Sequence, residues 1–139
     1  MVFGYTLLVL WLGFVLAISF MEAPVKFRTP SLDKEVGLDV GRLVFKALNY
    51  AEFLLGTSSL IVWVTVGVSL PTLLMNSSLL VILGIQSFGL YPQLNAQVKK
   101  HLKGEVPPRT KAHSIYIILE TVKVIGLILL LIQIAPNLK

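Results

Sequence analysis

The placement of charged residues limits most strongly what this chain can fold into. No Asp, Glu, Lys or Arg occurs from Phe53 to Val98, and none occurs from Met1 to Met21. A helix needs about 20 mainly apolar residues to cross the hydrocarbon core of a bilayer. The longer stretch therefore has room for two such helices and the shorter for one. Only 14% of the 139 residues are charged, against roughly 25% in soluble domains. The sequence predicts an integral membrane protein.

The apolar segments predict an all-α fold, an antiparallel bundle of four transmembrane helices in a single domain. The predicted spans are residues 2–21, 43–68, 73–91 and 111–134. Because proline lacks an amide donor, Pro24 is expected to stop or kink the first helix, and Pro92 and Pro136 to end the third and fourth. The first span lacks a basic n-region and is longer than a typical signal-peptide core, so it is interpreted as a retained helix.

The charged connector after the first span predicts a short interfacial helix between helices 1 and 2. Ser31 is a candidate N-cap, and Asp33 and Glu35 fall in the first turn, where the helix dipole favours acidic residues. An apolar side would let this helix lie along the membrane surface. That side consists of Leu32, Val36, Val40 and Leu43.

Basic residues in the connectors predict the orientation of the bundle. Short loops rich in Lys and Arg stay in the cytoplasm, so both connectors are expected there and both termini on the non-cytoplasmic side, most simply of a bacterial-type plasma membrane. Basic residues beside apolar spans indicate contact with the lipid bilayer and its anionic headgroups, not with nucleic acid. The residues are Lys26, Arg28, Lys34 and Arg42 in the first connector and Lys99, Lys100, Lys103, Arg109 and Lys111 in the second.

Three ionisable residues stand out because they lie away from the ends of the predicted spans: Glu52, Glu120 and Lys123. Each costs about 2.5–3.5 kcal/mol in a membrane helix, so it normally faces protein and has a partner. At a rise of about 1.5 Å per residue, all three lie at one depth in the cytoplasmic half. We therefore expect a polar cluster there. Its members are Glu22, Asn49, Glu52, Gln86, His113, Tyr116, Glu120 and Lys123.

This cluster allows two interpretations. Glu120 and Lys123 are three residues apart on one helix and can simply neutralise each other, while Glu52 fixes the packing. Alternatively, the cluster binds a ligand, handles protons or recognises a partner within the membrane. His113 falls at the predicted interface and the other histidine, His101, in a basic loop, so no haem, copper or other metal site is assigned. A site that combines His113 with Glu22 or Glu52 is the alternative.

Recognisable catalytic and cofactor motifs are missing from the sequence. There is no cysteine, which excludes disulfides and thiolate sites, and no HExxH, GxSxG or phosphate-binding glycine loop. No catalytic residue and no cofactor is therefore assigned. Gly37 and Gly41 form a GxxxG pattern, but they lie in a charged connector and are given little weight as a helix-dimer motif.

Several short motifs resemble a four-helix membrane family known as domain of unknown function 4149, which includes proteins similar to transmembrane protein 205. The resemblance covers nearly the whole chain. It implies a four-helix bundle but no particular chemistry. A more distant likeness is to the copper-resistance CopD group, whose several histidines and methionines this chain lacks. The motifs are Trp11-Leu12-Gly13, Ala23-Pro24 with Phe27, the segment 36–45 with its spaced glycines, Tyr91-Pro92-Gln93-Leu94-Asn95 and Lys111-Ala112-His113-Ser114.

Three functions are compatible with these features. The leading hypothesis is a non-enzymatic subunit or binding module, acting as a homo-oligomer or within a larger membrane complex because so small a chain buries little interior. The second is a proton-coupled transporter of a small molecule or ion, with Glu52, Glu120 and Lys123 as its relay and Glu22 and His113 at its mouth. The third is an enzyme acting on a lipid or quinone-like substrate, with Glu52 or Glu120 as general acid or base and Lys123 stabilising negative charge.

Overall fold

The computed structural model describes residues 1–107 and 110–138, and within them the chain forms four long helices and no strand. Each helix is long and apolar enough to cross a membrane. Pro108, Arg109 and Lys139, which belong to the predicted basic connector and the C-terminal tail, lie outside the described residues. The helices are α1 (Val2–Lys26), α2 (Lys34–Val66), α3 (Leu70–Leu102) and α4 (Ala112–Asn137).

Neighbouring helices run antiparallel, as the side-chain contacts between them show. Along α1 and α2 the contacts occur in opposite sequence order, since Gly4 packs against Trp63 while Trp11 bonds to Glu52. The other sequential pairs follow the same rule. Their contacts are Ser59 with Asn76 and Arg42 with Tyr91 for α2 and α3, and Thr72 with Gln133 and Gln86 with Glu120 for α3 and α4.

Helix α2 is continuous over 33 residues, so the prediction of a separate interfacial helix is wrong. From Lys34 onward, the residues of the predicted interfacial helix form the first turns of α2. No proline occurs between Lys34 and Val66, so every residue there has an amide donor for the helical hydrogen bonds. The N-cap is Asp33, whose side chain accepts a 3.1 Å bond from the amide of Glu35. Ser31 lies ahead of the helix and is not the cap. The helix ends at Gly67, which adopts the left-handed conformation common at helix C-termini.

Two prolines lie inside helices without ending them. The prediction that Pro92 ends the third helix is wrong, since α3 continues to Leu102. Helix α1 likewise continues past Pro24, as far as Lys26. Proline leaves the carbonyl four residues earlier without a donor and needs space for its ring. A π-helical segment directly before each proline provides the wider turn that accommodates both effects, Leu16–Glu22 in α1 and Ile85–Leu90 in α3. Pro136 lies in the 3₁₀ turn that closes α4.

The interior of the bundle is layered along its axis. A large apolar cluster that includes Trp11, Trp63 and Leu127 fills one end, and a small cluster around Leu90 and Tyr116 lies towards the other. Buried charged side chains lie between these two clusters. Large apolar side chains cover the outside of the helices, which is the reverse of the usual pattern in a soluble protein. The fold thus has the apolar exterior and polar interior layer suited to a lipid environment.

Candidate functional site

A fully buried ammonium group lies at the centre of the polar layer. The Nζ atom of Lys123 in α4 is 2.6 Å from Oε2 of Glu52, 2.9 Å from Oε1 of Gln86 and 3.0 Å from Oε2 of Glu120. An ammonium has three donors, so each finds one acceptor here. Glu52 comes from α2 and Gln86 from α3, and Lys123 therefore joins three helices through one atom.

Helix α1 completes the network with two donors. The indole Nε1 of Trp11 donates a 2.6 Å bond to Oε2 of Glu52, and Oγ of Ser19 donates a 2.7 Å bond to Oε1 of Glu120. Gln86 adds a 2.6 Å bond from Nε2 to Oε2 of Glu120. Ser19 and Gln86 both belong to the π-helical segments that precede the prolines. The turns that accommodate proline thus also carry polar side chains of the network. π-Helical turns inside α-helices are frequent at functional sites.

The network carries one more negative charge than positive when both carboxyl groups are ionised. Glu52 and Glu120 are two carboxylates against the single ammonium of Lys123, and all three side chains are buried. Oε1 of Glu52 is buried without a hydrogen-bond partner in the described part of the chain. Among residues 1–107 and 110–138, Oε1 of Glu120 accepts only the bond from Ser19, although a carboxylate oxygen has about two acceptor sites. Because an uncompensated buried charge is costly, the network can accept one further positive charge, either a proton or a bound cation.

Six of the eight residues predicted for the cluster come together. Besides the four already described, the hydroxyl of Tyr116 donates a 3.1 Å bond to Oδ1 of Asn49, and Nε2 of Gln86 reaches the carbonyl of Tyr116 at 3.3 Å. Contrary to expectation, Glu22 and His113 do not join the network. Glu22 forms an ion pair with Lys26 one turn further along α1, and His113 is exposed almost two turns before Glu120.

Sequence reasoning considered Ser19 as a polar group of the first helix but left it out of the eight cluster residues, and it missed both Trp11 and a second polar contact. Oγ of Ser59 donates to Oδ1 of Asn76 at 3.0 Å, and Nδ2 of Asn76 donates to the carbonyl of Gly56 at 3.2 Å. The signal was a stripe of positions spaced three or four residues apart, which marks one helix face. On α3 the stripe is Thr72, Asn76, Leu79, Leu83 and Gln86, and on α1 it is Leu8, Trp11, Val15 and Ser19.

A partly open cavity of about 570 Å³ lies between the four helices on one side of the network. Ser19 and Glu120 line its inner end, so their hydrogen bond connects the cavity with the buried charges. Lys26, Arg42 and His113 also line it, further from the network along their helices. Most of the lining is apolar. The cavity therefore combines an apolar wall with an acidic inner end.

The glycines of the connector have a packing role beside this cavity. A Cβ atom on Gly37 would lie 2.9 Å from the ring of Phe27, and one on Gly41 would lie 3.2 Å from Nζ of Lys26. Their spacing places both on one face of α2, against the last turn of α1 and the residue after it. The GxxxG pattern thus serves contact within the chain and shapes the cavity wall.

Within residues 1–107 and 110–138, no group of three or more His, Asp or Glu side chains is arranged to hold a metal ion. The chain matches no protein-family model, no curated protein and no solved structure. The resemblance to domain of unknown function 4149 therefore remains a prediction from the sequence.

Proposed function

We propose that this chain is a non-enzymatic, multi-pass membrane protein that binds a small ligand in the cavity beside its buried polar network. The observation that carries the proposal is the cavity itself. Ligand sites typically measure roughly 300–1,000 Å³, with mainly apolar walls and a few polar groups that orient the ligand. A cavity of about 570 Å³ that ends at Ser19 and Glu120 has this size and composition.

The proposed orientation places the open side of the cavity towards the cytoplasm, with both termini on the opposite side. The distribution of basic residues supports it, because short loops rich in Lys and Arg remain cytoplasmic. Lys26 and Arg42 line the cavity, and Lys34 and Lys111 begin or precede the helices on the same side of the bundle. A ligand would then enter from the cytoplasm or from the inner leaflet.

We propose that the chain belongs to the family known as domain of unknown function 4149. We also propose that it assembles as a homo-oligomer or within a larger membrane complex. Four long apolar helices are compatible with that family's bundle. The many exposed apolar side chains offer surface for lipid and for neighbouring helices alike. The particle mass in mild detergent tests the assembly. A mass above that of one chain is expected, and a clean monomer without a co-purifying protein would contradict it.

A cavity-filling pair of variants tests ligand binding. Ala23 lines the cavity, whereas Ala47 is exposed on the outside of α2. Native mass spectrometry of the purified protein should show a retained small molecule in the wild type and in Ala47→Phe, and its loss in Ala23→Phe. A bound species that persists in Ala23→Phe, or is absent from all three proteins, would refute the proposal.

A proton-coupled carrier is the second candidate, favoured by polar groups in the other half of the bundle. A further cavity of about 400 Å³ is lined by Thr72, which accepts a 3.0 Å bond from Gln133. The pair Ser59 and Asn76 lies between it and the network, but Leu83 and the tryptophans close the interior. If the chain is a proton-coupled carrier, the flux of its substrate into proteoliposomes should fall in both Glu52→Gln and Glu120→Gln. Unchanged flux in both variants would exclude this function.

A further inference from the structure

We infer that the ligand of this cavity is an organic cation with an apolar body, whose positive centre lies against Glu120. The inference rests on the proposed binding function and names the ligand class. It follows from three features of the cavity: the charge at its inner end, the charge balance further out, and the nature of its walls.

When both carboxyl groups are ionised, the excess negative charge of the network lies at the inner end of the cavity. Glu120 lines the cavity, and within the described part of the chain its Oε1 atom accepts a single hydrogen bond, from Ser19. The ammonium of Lys123 is shared between Glu120 and Glu52 and cannot neutralise both. A monovalent cation beside Glu120 would bring the sum of the charges to zero. In a region shielded from water, such complementarity contributes far more than on an exposed surface.

The permanently charged residues on the cavity wall, Lys26 and Arg42, do not offset this charge, because each has an acidic partner of its own. Nζ of Lys26 lies 3.0 Å from Oε1 of Glu22, and Nε of Arg42 lies 2.6 Å from Oδ1 of Asp39. These two pairs are neutral as units. The electrostatic preference of the cavity is therefore set by its inner end and favours a positive ligand.

The walls suit a cation that carries a large apolar group. Phe20, Phe27 and Phe45 line the cavity together with Tyr116, and the rings of Phe45 and Tyr116 pack edge to face with centroids 5.8 Å apart. Aromatic faces attract cations and bury apolar groups at the same time. An amphiphilic anion would instead have to place either its charge or its hydrocarbon end against the carboxylate of Glu120. The cavity thus discriminates by sign of charge.

Two probes of nearly the same shape and opposite charge test the inference directly: tetraphenylphosphonium and tetraphenylborate. Equilibrium binding to the purified full chain in detergent should show saturable binding of the phosphonium and at least about tenfold weaker binding of the borate, because the carboxylate of Glu120 attracts one charge and repels the other. Preferential binding of the borate would overturn the inference while leaving a ligand-binding cavity. Binding of neither probe would also overturn it, and the test with Ala23→Phe would then decide the proposed function separately.

Charge-neutralising variants locate the effect. Glu120→Gln removes the excess charge and should weaken phosphonium binding at least about tenfold, whereas Glu105→Gln, the same change on an exposed loop, should leave it unaltered. Unchanged affinity in a folded Glu120→Gln protein would refute the inference. Should that variant fail to fold, Glu52→Gln carries the test, since it removes the same charge from the network without altering a residue that lines the cavity.

Discussion

The Nζ atom of Lys123 lies 2.6 Å from Oε2 of Glu52, and neither side chain has any exposed surface. The two residues belong to α4 and α2, so the ion pair holds two helices that are distant in sequence. Each ion loses several kcal/mol of hydration on burial, and the loss is offset only where the partner is close and its remaining groups are bonded. This contact therefore restricts how α2 and α4 can face each other.

Replacing Lys123 should destabilise the bundle strongly. Lys123→Met leaves two buried carboxylates without their cation, and breaking a buried pair in this way costs about 3–5 kcal/mol. Thermal unfolding in detergent measures the effect. Lys100→Met, at an exposed position, is the control and should change stability by less than about 0.5 kcal/mol. Equal unfolding temperatures for the two variants would contradict a buried ion pair.

The two buried tryptophans allow the hydrogen bond to Glu52 to be isolated. Nε1 of Trp11 donates to Glu52, whereas Nε1 of Trp63 is buried without a hydrogen-bond partner among the described residues. Both Trp→Phe changes remove similar ring area, but only Trp11→Phe breaks a bond to a charged acceptor. It should cost about 1.5–3 kcal/mol more than Trp63→Phe in chemical denaturation. A larger loss for Trp63→Phe would show that the bond to Glu52 is not formed.

At the start of α2 the structure differs from the prediction made from the sequence. Asp33 caps the helix through a bond to the amide of Glu35, while Ser31 lies outside it. Asp33→Ala should therefore lower stability by about 0.5–2 kcal/mol, and Ser31→Ala should have little effect. Urea or thermal unfolding of both variants measures the contrast. The opposite ranking would restore Ser31 as the cap and with it a separate interfacial helix.

Much of this fold was predictable, because the bilayer imposes a simple rule on composition. The uncharged stretches ending at Met21 and beginning at Phe53 predict where helices cross, and the depth of Glu52, Glu120 and Lys123 follows from helical rise alone. These predictions needed no knowledge of how the helices pack.

The remaining features depend on three-dimensional contacts that a sequence pattern does not contain. Pro92 was expected to end a helix, since the sequence does not show that a π-helical turn over Ile85–Leu90 takes up its ring. Glu22 was expected in the cluster, but it lies almost one turn beyond Ser19 and forms its ion pair with Lys26. The cavity arises from the joint arrangement of four helices, so no single segment encodes it.

Glycine substitutions should report the close approach of α1 to α2. A Cβ atom on Gly56 would lie 2.7 Å from both the Trp11 ring and Leu80, whereas one on Gly84 would meet nothing within 4 Å. Gly56→Ala should destabilise by about 1–3 kcal/mol through overpacking. Gly84→Ala should stabilise by up to about 1 kcal/mol, since alanine favours the helix. Thermal unfolding gives both signs, and a stabilised Gly56→Ala would exclude the described packing.

Two adjacent residues on α4 give a matched test of where the cavity lies. Both Ile117 and Ile118 are exposed, at 47% and 60%, but only Ile117 lines the cavity, while Ile118 lies on the outer, apolar surface of the same helix turn. The chain contains no cysteine, so single-cysteine variants can be labelled without background. A thiol reacts as its thiolate, which forms in contact with water and is suppressed in apolar surroundings.

The most direct measurement is therefore labelling of Ile117→Cys and Ile118→Cys with a membrane-impermeant thiol reagent, applied separately to each face of sealed vesicles. A cytoplasm-facing cavity predicts rapid labelling of Ile117→Cys from the cytoplasmic face only, and no labelling of Ile118→Cys from either face. Labelling of Ile118→Cys in preference to Ile117→Cys, or of Ile117→Cys from the opposite face alone, would contradict the cavity and its orientation.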